Sequence, residues 1–251
     1  MEQPKGLVEK GFLSSFLVLS LLINIYKGER ELPETKLELY QKCLEFIANK
    51  REKPKINNNF DWKLIAPFMK DNTFIKLSLL CFPNNKEIHE DEVFDTLTKE
   101  YKDIFGDTAT LERAVHEFMK FCSERTELFV PANVENCYKF FHRSFFEYFY
   151  SKHIITRSKD SEEIFSRLEQ FDIDYEVFEL TLARLKQETH DKYISLIKYT
   201  FEICLLDLIS KKPTFRIFNI LVLFLQAIDE ETFQVRFVDL VVDYSKVINN
   251  L

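Results

Sequence analysis

Apolar residues of this 251-residue chain recur at three- and four-residue intervals over most of its length, a spacing that predicts helices. Phe12 to Tyr26 is a nearly continuous apolar run. After it, Leu32-Pro33-Glu34-Thr35 supplies a helix start, since proline is tolerated in a first turn and Thr35 with Glu38 has capping-box spacing. Leu37, Tyr40, Leu44 and Ile47 form the stripe of that helix, which is expected to stop near Arg51. Lys53-Pro54 and Ile56-Asn57-Asn58-Asn59 then read as a linker. Helical patterns resume over Asp61 to Cys81, Asp91 to Tyr101 and Thr110 to Ser123. The β signal follows: Thr126 to Val130 and Cys137 to Phe141 are short β-prone runs joined by the turn-rich Pro131 to Asn136, which predicts a hairpin.

Three helices and then a hairpin is the order of a winged helix. A helix from Arg143 to Arg157 follows, with Phe145, Phe146, Tyr148, Phe149, Tyr150, Ile154 and Ile155 distributed around it, so it is expected to pack on several sides. Beyond Ser158 only helices are predicted: Glu162 to Gln170, Tyr175 to Gln187, Lys192 to Ser210, Thr214 to Ile228 and Glu231 to Ile248. No fixed repeat length relates them. The expected fold is mainly α: a helical segment over 1–53, a winged-helix domain with one β-hairpin over 60–157, and a C-terminal helical array over 158–251.

Composition narrows the chemistry. A hydrophobic fraction of 46% with 15% aromatic residues can bury a sizeable core. The four glycines, Gly6, Gly11, Gly28 and Gly106, are too few for the turns that bring backbone against phosphate. Neither GxxxxGK[ST] nor a hydrophobic strand ending in paired acids occurs, so the chain is expected not to be an enzyme by itself. Five cysteines without CxxC or Cys/His ligand spacing fit reduced thiols in a cytoplasmic protein, with no metal. Phe12 to Tyr26, at about 15 residues, is short for a membrane span. No small-x-small cleavage site follows it, and a buried helix is expected there. Residues 61–157 carry 13 Lys/Arg against 16 Asp/Glu, and 158–251 carry 11 against 17. That balance argues against a nucleic-acid partner, which a winged helix would otherwise suggest.

One histidine stands apart. In Phe140-Phe-His-Arg-Ser-Phe-Phe-Glu-Tyr-Phe-Tyr-Ser151, His142 falls where a strand gives way to an aromatic helix, a position from which imidazole can donate to a phosphate oxygen beside the positive end of the helix dipole. Arg143 can add charge there. The competing role is a structural histidine satisfied at the junction. Glu147 is read as a capping or salt-bridging carboxylate, and Trp62 as core.

These residues resemble a family. Phe12 to Phe46 looks like the helical segment that follows the nucleotide-binding core of NACHT-type STAND NTPases. Phe140 to Ser151 is similar to the closing motif of their winged helix, Phe-x-His-x-x-Phe-Gln-Glu-Tyr/Phe-Phe-Ala-Ala. The chain departs from it at Phe16, where the family usually has proline, at Phe146 in place of Gln, and at Tyr150-Ser151 in place of two alanines. The resemblance implies a lid in a cytoplasmic signalling or antiviral-defence switch, ADP or ATP being bound only when a P-loop NTPase core is supplied in cis or in trans. His142 is then the phosphate contact. The resemblance also admits oligomerisation with NACHT-type proteins. A stand-alone adaptor or decoy, and a winged-helix DNA-binding regulator, are the alternative functions.

Overall fold

The computed structural model describes residues 32–45, 60–170 and 175–209, together with residues 20, 22, 23, 25–27 and 222. The predicted linker after Arg51 and, but for residue 222, the helices expected over 214–228 and 231–248 lie outside the described residues, as does most of the Phe12 to Tyr26 run. The described fold is mainly helical with one small three-stranded antiparallel sheet. It divides into two units, Met1–Tyr150 and Ser151–Leu251, and the division falls inside the helix that starts at Arg143.

In the first unit, α1 (Lys36–Glu45) begins as its sequence predicts. Thr35 Oγ1 accepts from the Glu38 N–H at 3.1 Å, and Glu38 reaches back to accept from the Glu34 N–H at 2.8 Å. Leu37, Tyr40 and Cys43 line its buried face.

The run from Asp61 to Cys81 is two helices where one was expected. Asp61 caps α2 (Trp62–Ile65) by accepting from the Lys63 N–H. Pro67 has no N–H to carry the ladder on, so the chain tightens into turns in which Phe68 donates to Ile65 and Met69 to Ala66. Extended backbone at Lys70 then resets the direction for α3 (Asp71–Leu80).

Next come β1 (Ile88–His89), α4 (Glu90–Tyr101) and α5 (Thr108–Phe121), the last capped by Asp107, which accepts from the Thr110 N–H at 2.8 Å. A π-helical turn, Cys122–Thr126, extends α5 and ends at Glu127 in the left-handed region. Strands β2 (Phe129–Pro131) and β3 (Cys137–Phe140) close the sheet in the order β1-β3-β2. Helix, strand, two helices and two strands, with the last strand central, is winged-helix topology. The strand that sequence reading missed is β1, two residues pairing Ile88 with Tyr138 and His89 with Cys137. Proline at 131 is tolerated because β2 is an edge strand.

A side chain lengthens the sheet. The N–H and C=O of Phe140 point away from β2, and the Asn85 amide meets both: Nδ2 donates to the Phe140 carbonyl at 2.9 Å and Oδ1 accepts from its N–H at 3.1 Å. Asn84 and Asn85 both sit in the left-handed region, which asparagine tolerates better than most residues. Asn85→Ala strands two polar groups of a buried residue and is expected to cost about 1–3 kcal/mol in urea unfolding.

The core of this unit is aromatic. Phe68 stacks on Phe118 (5.1 Å) and Phe105 (5.7 Å) and packs at a tilt on Tyr101 (4.3 Å). Trp62, expected in the core, is half-buried at its edge, where it meets the buried Phe121 edge-on at 5.9 Å. Each fully buried phenylalanine contributes about 1.5–3 kcal/mol through lost apolar hydration. Helix α6 (Arg143–Arg157) is buried around its circumference from Phe145 to Ser151, as its aromatic distribution predicts. Tyr40 of α1 packs on its Phe145 and Tyr148.

The second unit continues with α7 (Ser161–Gln170), α8 (Tyr175–Glu188) and α9 (His190–Ile209). Asp160 and Glu163 cap α7 reciprocally, Asp160 accepting from the Glu163 N–H and Glu163 from the Lys159 N–H. Phe165 of α7 meets Tyr199 of α9 edge-on at 5.6 Å. Helix α8 buries Val177, Phe178, Leu180, Thr181, Leu182, Arg184 and Leu185, so it is enclosed on more than one face.

Candidate functional site

The strand-to-helix junction places His142 at the N-cap of α6. Its Nδ1 accepts from the Ser144 N–H at 3.2 Å, and its carbonyl accepts from the Phe145 N–H at 3.1 Å. The helix start therefore offers fewer free N–H groups than the sequence suggests, because the imidazole caps its own helix. That bond also fixes the tautomer. With Nδ1 accepting, the proton is on Nε2, a donor that has no partner among the described residues. The ring is half-buried beside the exposed Phe141, and burial lowers its pKa from the ordinary 6.5.

Protonation is the way to break this cap, since a charged imidazole has no lone pair to accept with. The sign follows from the lowered folded pKa. The unfolded chain takes up the proton more readily, so the contribution is whole above pH 6.5 and is lost as pH falls below it. Wild-type melting is expected to weaken from pH 7 to 5 by at most about 1 kcal/mol more than that of His142→Asn. Asparagine also caps but does not titrate, so equal slopes in thermal melts would contradict the cap.

Arg143, the other candidate, is engaged elsewhere. Its Nε donates to Glu147 Oε1 at 2.7 Å and its Nη2 to Asn84 Oδ1 at 3.5 Å. Glu147 is 4% exposed, so this charge-assisted bond one helical turn along answers a buried carboxylate. The guanidinium thus joins α6 to the loop that holds Asn85. Of the capping and salt-bridging roles expected of it, Glu147 takes the salt bridge. What sequence reading missed is Asn84, whose part depends on a left-handed backbone that only the fold reveals.

The remaining chemistry is quiet. Among the described residues no group of His, Cys, Asp and Glu is arranged to hold a metal ion, and no helix is long and apolar enough to cross a membrane. Cys43, Cys81 and Cys122 are buried, and Cys81 and Cys122 are free thiols. Burial pushes the Cys81 thiol up to about 12 and raises that of Cys122 too, so neither is a nucleophile near neutral pH. In comparisons with known proteins, no family model, no curated protein and no solved structure matches this chain.

Proposed function

We propose that the chain is the lid portion of a NACHT-type nucleotide switch, in which His142 contacts the phosphate of ADP or ATP held by a P-loop core in cis or in trans. The observation that supports this is the division of labour within one imidazole. Nδ1 is occupied by the helix it caps, so Nε2–H is presented as a donor at the positive end of α6. Held this way, the ring needs no reorganisation to meet an anion. In this reading Arg143 positions the junction through Glu147 and Asn84 and does not itself carry the phosphate.

DNA binding draws less support from the same topology. The helix in the recognition position, α5, carries Arg113 and Lys120 against Glu112 and Glu117, and has no excess of cations with which to neutralise phosphates.

Ring 1H–15N correlations of the full chain titrated with pyrophosphate test the reading directly. The Nε2 signal of His142 is expected to move selectively, at roughly millimolar pyrophosphate. The same ring is expected to lose exchange with water when the chain is joined to an ADP-loaded P-loop core. A ring that responds in neither experiment would remove His142 from the switch.

A further inference from the structure

A cleft of about 360 Å³ opens between the C-terminal half of α5, its π-helical turn and the sheet. Glu90, His116, Met119, Lys120, Glu124 and Tyr138 line it, towards the opposite end of β3 from His142. Its size is within the range of sites that enclose a small group. In a DNA-binding winged helix this face would be basic; here two carboxylates border it beside Lys120 and His116.

Those carboxylates are unanswered. Neither Glu90 nor Glu124 has an ion-pair partner among the described residues. For Glu124 the cause is local. Lys120 stands four residues before it, the spacing at which an α-helix would pair them. The π-helical turn Cys122–Thr126 changes the winding at that point, and the Lys120 ammonium lies instead over the Phe60 ring, 5.6 Å from its centroid.

The rest of the lining has a matching character. Met119 gives an apolar floor. Tyr138 has Phe129 stacked at 6.0 Å with the rings 14° apart, and its ring remains half-buried at the cleft. His116 lies against Phe94 at 5.0 Å, a second flat wall.

We infer that this cleft receives one arginine side chain of a protein partner. A guanidinium answers a carboxylate with a fork of donors, stacks on an aromatic face, and carries an apolar stem suited to Met119. The net charge of −7 favours approach of a basic surface. The inference is independent of the phosphate reading, because it uses different residues and a different face.

The test is a chemical-shift titration of the 15N-labelled full chain with acetyl-Gly-Arg-Gly-amide, with its citrulline counterpart, and with agmatine. The arginine peptide is expected to move the amide signals of Glu90, Ser123 and Glu124 and to saturate at roughly millimolar concentration. The citrulline peptide should bind at least about tenfold more weakly, since it keeps the shape and loses the charge. Glu90→Gln with Glu124→Gln should weaken the arginine peptide by a similar factor at an unchanged melting temperature. If Glu90→Gln disturbs the start of α4, the exposed Glu124→Gln alone carries this arm. No response to the arginine peptide, equal binding of citrulline, or indifference to the glutamine variants would overturn the proposal. Agmatine binding about tenfold tighter than the peptide would also overturn it, by reassigning the cleft to a free small cation.

Discussion

Replacing Phe149 with alanine is expected to remove about 3–5 kcal/mol of stability from the Met1–Tyr150 unit. Phe149 is fully buried and its ring joins three elements: it stacks on Phe74 of α3 at 5.0 Å, on Phe140 of β3 at 5.9 Å, and meets Tyr148 of its own helix edge-on at 5.2 Å. The neighbours are themselves rings fixed by further rings, so they cannot move in to fill the space. The loss therefore adds a cavity term to the lost burial. Such a change approaches the whole stability of a small domain, about 5–15 kcal/mol, so Phe149→Leu, expected to cost less, provides a variant that still folds. Phe141→Ala, at a ring 55% exposed, should change little, within about 0.5 kcal/mol. Urea unfolding of the three variants checks the order. Equal costs at 141 and 149 would contradict the packing described.

The second large effect is functional. With a nucleotide-loaded P-loop core attached, His142→Ala is expected to weaken the closed arrangement by about 1–3 kcal/mol, a factor of about 5 to 150. Alanine also deletes the cap on α6, so the drop by itself does not distinguish the two roles of the ring. His142→Asn separates them. Its side-chain oxygen can accept from the Ser144 N–H as Nδ1 does, but its amide nitrogen does not extend to the position of Nε2. If the phosphate contact operates, Asn should fold like wild type and switch like Ala, with raised basal activation and weakened nucleotide retention. If Asn retains nucleotide as wild type does, the histidine is a cap and nothing more.

What the sequence conveyed followed from how local each determinant is. The bounds of α6, Arg143–Arg157, are the ones its pattern predicts, because cap, aromatic content and termination all lie within the segment. The hairpin was legible in outline, since its turn residues lie between the two runs it joins, but its first strand starts at Phe129 and includes Pro131, because Thr126 closes the π-helical turn and Glu127 is left-handed. Strand β1 was not. Two residues cannot show an alternation, and Ile88 is held by pairing with Tyr138, fifty residues along, a contact that no window of sequence contains. The break between α2 and α3 was not read either: Pro67 marks it, but the apolar pattern on both sides concealed it.

The candidate site divides in the same way. The position of His142 at a junction was visible, and the direction of its two nitrogens was not, because the choice between them is made by the Ser144 N–H in three dimensions. The commitment of Arg143 to a buried Glu147 followed from their four-residue spacing only once the burial of that carboxylate was known. Asn85 was illegible altogether: its value lies in copying a strand's hydrogen bonds with a side chain.

Trp62 is the one tryptophan in the chain, and it lies against Phe121 within the Met1–Tyr150 unit. Its emission consequently reports the melting of that half alone, whereas far-ultraviolet ellipticity sums helices from both. Superimposed curves from the two probes would mean that the halves melt as one cooperative body, and separated midpoints would measure how independently each survives.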